Sequence, residues 1–479
     1  MNKYHFDYSP RTKPFAHQVE AINFMVNKDI VPLFDEQGLG KSKIVIDALC
    51  EDMKSKKIEG ALIICKKHLI AMWEDEIRTH SHLKYIVLRG TKKEKGSKFM
   101  VFANFYIINY ELVIQEIERL KMFLKIKKMA IVLDESHRIK NPYTESAKRI
   151  FELAPFSVKR VIITGTPIAD KPEDIWAQFY FLDQGRLFGN NYDEFKKRYG
   201  VDLRGKQSLS GRIEKHNELK NIINDVSLRR LKSQVLELPE KRYEDVWVEI
   251  GGRQKEIYEK LKNELILEIK NKDGQQVIDE SSNILKKLLR LTQIASNTNL
   301  IDENYKEDPA KFKKLDEIVQ GIIYKNEKVI IWTGFVENIR KLRRRYSKYG
   351  ALMLFGELPI EQRKTILEKF KNDDDLKVLI ANPSVAKEGL TLTSANNAVY
   401  IDRNFILADY LQSQDRIHRI TQSRPCNIIK ILAKDTIDEY IDEILYKKHI
   451  IAQFIQGDIS IIKDEKEYLD REDLLRILG

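Results

Sequence analysis

The chain has 479 residues, enough for about three ordinary domains or two large ones. Hydrophobic residues make up 43% and charged residues 32%, a balance with too much apolar content for a disordered chain, and no apolar run approaches the ~18 residues that cross a bilayer. Lys and Arg number 83 against 72 Asp and Glu, so the formal charge of +11 points to a polyanionic partner without separating DNA, RNA and an anionic membrane.

Short Ile/Val-rich runs alternate with amphipathic helical stretches. In the first half the runs fall at 30–34, 61–65, 105–109, 129–133 and 160–163, and each predicts a buried parallel strand. Residues 214–314 have a different texture, mostly helical with few strand runs. Within them Leu228-Arg229-Arg230-Leu231-Lys232 and Leu238-Pro239 mark a boundary, because Pro239 would end a helix. The strand style returns at 329–333, 352–355, 378–381, 398–401 and 427–432, and a short helical tail is expected over 465–478. Alternating strand and helix predicts α/β, doubly wound parallel sheets in two lobes with helical insertions around the joint. The division reads as 1–232 for the first lobe, 233–314 for joint and helical insertion, and 315–479 for the second lobe. The opening Met1-Asn2-Lys3-Tyr4-His5-Phe6-Asp7 has no signal-peptide core. Cys50, Cys65 and Cys426 lie far apart, so buried thiols in a reducing cytoplasm are expected rather than a zinc module or disulfides.

Asp35-Glu36-Gln37-Gly38-Leu39-Gly40-Lys41-Ser42 follows the first strand run and opens a helix. Glycines there let backbone N–H groups wrap a phosphate at a helix N-terminus, Lys41 would reach the β/γ phosphates of ATP, and Ser42 would ligate Mg²⁺. Asp35 stands where the usual loop has its first glycine. Asp134-Glu135-Ser136-His137 ends the 129–133 strand run, at the carboxyl edge where open parallel sheets bind ligands. Asp134 would join the Mg²⁺ shell and Glu135 would orient or deprotonate the attacking water. Thr164-Gly165-Thr166 ends a further strand and could sense the phosphate. Residues 408–422 read as one helix, on which Gln412, Arg416 and Arg419 share a face at i, i+4 and i+7. Two arginines so spaced suit a phosphoryl group in transition, and they would complete the site only when the lobes close. The basic runs at Lys92-Lys93-Glu94-Lys95 and Arg340-Lys341-Leu342-Arg343-Arg344-Arg345 read first as solvated faces.

Together these motifs resemble the Swi/Snf-type ATPases of helicase superfamily two, DNA translocases that include chromatin remodellers. DEQGLGKS is similar to the family's DEMGLGKT and DESHRIKN to its DEAHxxKN. TGTPIAD is similar to TGTPIxN, the 228–241 joint to LRRxKxxVxxxLPxK, and QSQDRIHRITQ to QAxDRxHRIGQ. The resemblance spans about residues 14–445 and implies two RecA-like lobes with ATP between them. It implies Gln18 as adenine reader, Gly38, Gly40, Lys41, Ser42 and Gly389 on the nucleotide, and Arg416 and Arg419 as arginine fingers. Nucleic-acid contacts are implied for Lys66 and Lys67, for Asn109 and Tyr110, and for Thr391 and Thr393 in the 386–393 loop. Thr421 replaces the glycine of HRIGQ, Lys387-Glu388-Gly389-Leu390-Thr391-Leu392-Thr393 replaces GGxGLNL, Arg403-Asn404-Phe405 replaces an Asp-Trp-Asn-Pro stretch, and Asp170 replaces an Asn.

The expectation is an ATP-dependent motor on double-stranded DNA, with a protein partner giving specificity, no membrane association, and a bacterial, archaeal or viral origin. A strand-separating helicase or the motor of a restriction-like assembly is the alternative enzyme. A catalytically silent DNA-binding scaffold is the alternative from another class, and intact Lys41, Asp134 and Glu135 weigh against it. Thr164-Gly165-Thr166, in place of the Ser-Ala-Thr of DEAD-box proteins, weighs against an RNA helicase.

Overall fold

The Ile/Val runs pair into two six-stranded sheets, parallel throughout, in a computed structural model that describes residues 9–26, 28–200, 208–270, 281–388 and 391–462. Among these residues the chain divides into two compact units, the first from 9–237 with 451–462 and the second from 238–450. In the first unit the strands are β1 (Ile30–Leu33), β2 (Gly60–Cys65), β3 (Tyr85–Val87), β4 (Phe105–Asn109), β5 (Met129–Asp134) and β6 (Lys159–Ile163). Their spatial order is β1-β6-β5-β2-β4-β3. Every residue of β2, β4 and β5 is buried, as a parallel sheet covered on both faces requires. On one face Ala61, Ile63, Cys65, Ala130 and Val132 pack on α1 (Ala16–Val26), α2 (Lys41–Lys54) and α3 (Ile70–His80).

The second unit has β7 (Lys241–Val248), β8 (Val329–Trp332), β9 (Leu352–Leu354), β10 (Val378–Ala381), β11 (Asn397–Tyr400) and β12 (Cys426–Ala433), ordered β7-β12-β11-β8-β10-β9. Alternate residues serve opposite faces. Val329 and Ile331 join one apolar cluster, Ile330 and Trp332 the other. Each unit is a doubly wound α/β lobe of RecA-like type.

Three parts of the sequence reading change. The stretch expected to be mostly helical contains β7, an edge strand whose KRYEDVWV carries no apolar run because only Val246 and Val248 turn toward the core. It pairs along its full length with β12. Residues 451–462, assigned above to the second lobe, group with the first. There Asp458 receives two bonds of 2.6 Å from Arg229, and Lys220 donates to the Ile459 carbonyl at 3.0 Å. The arginine-bearing helix is shorter than expected and is treated below. The tail at 465–478 lies outside the described residues. All three cysteines are buried and none forms a disulfide, and among the described residues no helix is long and apolar enough to cross a membrane.

Candidate active site

The carboxyl edge of the first sheet gathers the motif residues because of strand order. β5 lies between β6 and β2, and the register sets Ile64 beside Leu133 and Asp134 beside Ile163. The residues that leave the sheet there are therefore neighbours: Lys66 after β2, Glu135 after β5 and Thr164 after β6. Residues more than sixty positions apart in the chain meet in this way.

The phosphate loop runs from β1 to α2. Gly38 and Gly40 have φ of 89° and 76°, left-handed values that cost glycine little. A Cβ at Gly40 would collide with the Gln18 side chain, so the loop and Gln18 are in close contact. Gln18 accepts from the Phe15 N–H at 3.0 Å and donates to the Leu39 carbonyl at 3.4 Å. Lys41 is folded back on the loop, donating to the carbonyls of Asp35 at 2.8 Å and Glu36 at 3.1 Å. Burial lowers the ammonium's pKa, while the charges of Glu135, Asp35 and Asp134 raise it. A phosphate would supply the anionic partner that two carbonyls replace only in part.

Asp35 is fully buried and holds Arg230 in a two-armed ion pair, with Nε at 3.1 Å from Oδ1. Arg229 donates to the Phe34 carbonyl at 2.8 Å, and the Glu36 N–H to the Arg230 carbonyl at 3.0 Å. The aspartate in place of a glycine thus anchors the 228–232 segment along β1 and the phosphate loop.

Asp134 accepts a bond from the indole N–H of Trp73 on α3 at 2.8 Å, and its backbone carbonyl accepts from the Tyr110 hydroxyl at 2.8 Å. Glu135 has φ 51°, an unusual conformation for a side-chain-bearing residue. Its Oε2 lies 3.2 Å from His137 Nδ1 and 3.4 Å from the Thr164 hydroxyl. Burial and the neighbouring Glu135 push the Asp134 carboxyl well above the usual range. Burial also acts to raise Glu135, but the hydrogen bond from His137 and the cations Lys66 and Lys41 outweigh it, leaving this carboxyl below its usual value. Two adjacent carboxylates, the buried Asp134 resisting ionisation and the half-buried Glu135 beside it, form a hard-oxygen site that an added cation would relieve, and Ser42 in the first turn of α2 adds a hydroxyl. These residues suit Mg²⁺.

In the second unit the segment expected as one helix over 408–422 is helical only from Leu407 to Gln414. Beyond it the backbone tightens, with Arg416 N–H donating to the Ser413 carbonyl at 3.3 Å and Ile417 N–H to Gln414 at 3.2 Å. The Arg416 carbonyl accepts from Leu392 N–H at 2.9 Å, so it does not continue the helical ladder. Gln412, Arg416 and Arg419 consequently do not share a helical face. Gln412 and Arg416 are buried. Arg416 Nε donates to the Gln412 carbonyl at 3.0 Å, and Arg419 donates to the Thr391 hydroxyl at 3.0 Å. Thr393 and Thr421 share a hydroxyl bond of 2.8 Å. Thr391, read as a nucleic-acid contact, and Arg419, read as a finger, are therefore joined. Gly389 lies outside the described residues.

The SNF2-related domain family matches residues 17–300, and the helicase conserved C-terminal domain matches 310–421. The chain belongs to the SNF2-related family. Among curated relatives, this SNF2-related chain is 29% identical over 458 residues to an "Uncharacterized ATP-dependent helicase MG018" of Mycoplasma genitalium, covering 93% of the chain and 42% of the relative. It is 29% identical to the "Putative ATP-dependent helicase/translocase YwqA" of Bacillus subtilis, covering 89% and 46%. It thus spans under half the length of both. A solved "Sulfolobus solfataricus SWI2/SNF2 ATPase core in complex with dsDNA" aligns at 26% identity over 98% of each chain with a TM-score of 0.45.

Lys66 and Lys67 stand just beyond β2, half-buried and exposed respectively. Asn109 and Tyr110, read above as nucleic-acid contacts, are buried instead. Asn109 donates to Glu111 at 2.6 Å, and the Tyr110 hydroxyl donates to the Asp134 carbonyl at 2.8 Å. Trp73 and His137 escaped the sequence reading as site residues. Trp73 looked like one more apolar residue of a helix, whereas His137 was already visible beside the acidic pair.

Proposed function

We propose that this chain is an ATP-hydrolysing motor that moves on double-stranded DNA and displaces or remodels what is bound there. One observation carries the reading: a phosphate loop with its lysine held on backbone carbonyls shares a sheet edge with the buried Asp134 and the half-buried Glu135. Family membership and the ATP-dependent helicase names of the bacterial relatives support it.

In this reading Gln18, Gly38, Gly40, Lys41 and Ser42 bind ATP, Ser42 and Asp134 hold Mg²⁺, and Glu135 handles the water. Mg²⁺ supplies charge neutralisation on the phosphates. Arg416 and Arg419 stabilise the transferring phosphoryl group, and Lys66, Lys67, Thr391 and Thr393 meet the DNA backbone. A protein partner supplies specificity, and the cytoplasm is the place of action.

The test is steady-state ATP turnover without nucleic acid and with single-stranded DNA, duplex DNA and RNA in parallel, for the parent and Arg419→Ala. Duplex DNA should stimulate the parent most, with Arg419→Ala losing roughly 10³-fold in turnover while still binding ATP. Equal stimulation by RNA and duplex DNA contradicts the DNA assignment, and near-parental turnover of Arg419→Ala contradicts the finger.

A further inference from the structure

The segment from β2 into α3 reaches Asp134 directly and Glu135 through His137. Trp73 on α3 donates to Asp134 Oδ2 at 2.8 Å. Lys66, the first residue after β2, places Nζ 3.4 Å from Nε2 of His137, whose Nδ1 lies 3.2 Å from Glu135 Oε2 and 3.3 Å from the Thr164 hydroxyl. An ammonium only donates and a carboxylate only accepts. His137 must therefore accept from Lys66 at Nε2 and donate from Nδ1, so Lys66 selects the tautomer that hydrogen-bonds Glu135. Thr164 also donates to Glu135 Oε2, at 3.4 Å. A carboxylate oxygen occupied in this way is a poorer acceptor for a proton from water.

Lys66 is only half-buried, and Lys67 beside it is exposed.

We propose that Lys66 is the positioning residue through which a nucleic-acid phosphate switches on hydrolysis: resting on His137 it holds Glu135 engaged, and drawn onto the phosphate it lets Glu135 go. The inference rests on the reading of Glu135 as the water-handling group and of Lys66 as a nucleic-acid contact. It adds the physical link between the two. DNA stimulation then arises by removing a restraint and needs no new group delivered to the site.

The experiment measures kcat and KM for ATP, with and without duplex DNA, in the parent, Lys66→Met and Lys66→Arg. Methionine keeps the length of the side chain and removes the donor. Lys66→Met should raise the DNA-free kcat by about fivefold, the scale of one lost hydrogen bond, with KM for ATP unchanged. Its stimulation ratio should shrink accordingly. Lys66→Arg keeps a permanent donor and should restore the low DNA-free rate. A residue that only supports the fold would not produce this split or this rescue. If the parent is stimulated by DNA but Lys66→Met has a parental or lower DNA-free kcat, with only the half-saturating DNA concentration raised, the link is overturned and the motor reading stands. A parent that no nucleic acid stimulates overturns the motor reading and this inference together.

Discussion

Each unit places a buried aspartate at the carboxyl edge of its sheet, and the two are used in opposite ways. Asp402, two residues beyond β11, has both oxygens occupied by neutral donors. Ser296 and Thr333 each donate to Oδ2 at 2.7 Å, and the Gly334 N–H donates to Oδ1 at 2.6 Å. Asn338 extends the network through Ser296 at 3.0 Å, and Asn297 donates to Asn338 at 2.8 Å. Asp134, at the end of β5, is set beside another carboxylate and near the loop lysine. The first arrangement satisfies a charge with groups of its own unit and suits a structural role. The second leaves like charges crowded where a ligand can compensate them. One architecture, built twice, therefore carries different chemistry, and the difference lies in which groups surround the aspartate.

Asparagine at each position separates the two roles most strongly. Asp134→Asn should cost roughly 10²-fold or more in ATP turnover while its thermal midpoint stays level or rises, because a crowded buried charge is removed. Asp402→Asn should lower the midpoint of the second unit by the equivalent of about 1–3 kcal/mol, since the amide N–H₂ cannot accept the bonds that Oδ1 or Oδ2 accepted. Turnover and calorimetry on the same preparations check both. Parental turnover in Asp134→Asn, or an unchanged melt in Asp402→Asn, would erase the contrast.

A smaller effect concerns acid stability. His216, on the helix Leu209–Val226, is buried with Nε2 donating to the Tyr199 carbonyl at 2.8 Å, and burial pushes its pKa down to about 4. The unfolded chain binds the proton near the ordinary value of 6.5, so protonation between these values favours unfolding. The contribution is fully present above the unfolded value and is lost as pH falls toward the folded one. It amounts to about 3.5 kcal/mol at most for the first unit. His216→Gln, which keeps a donor for Tyr199, should flatten the fall in that unit's melting temperature between pH 6.5 and 4. An identical slope in the variant would assign the acid lability to other groups.

What the sequence disclosed follows from what each signal depends on. Buried parallel strands advertise themselves because both faces are apolar, so the Ile/Val runs matched strands of both sheets closely. β3 is three residues long at a sheet edge, and β7 shows only Val246 and Val248 to the core, so neither makes a run. The placement of Lys41, Asp134 and Glu135 was legible because it depends on local order, a glycine loop or a strand end. Trp73 and the Lys66–His137 link were not, because those contacts span 61 and 71 positions and depend on strand order. The helix over 408–422 failed for a related reason. Its pattern continues past Gln414, but Leu392, from another part of the chain, takes the Arg416 carbonyl.

The central claim is that the edge holding Asp134 and Glu135 is where ATP is cleaved, and Glu135→Gln tests it most directly. The amide keeps the shape of the side chain and loses the group that handles water. ATP affinity and turnover should be measured on this variant and the parent, both with saturating duplex DNA. Glu135→Gln should keep near-parental ATP affinity and hold bound ATP, with a turnover lower by roughly 10²-fold or more. Parental turnover in Glu135→Gln would contradict it.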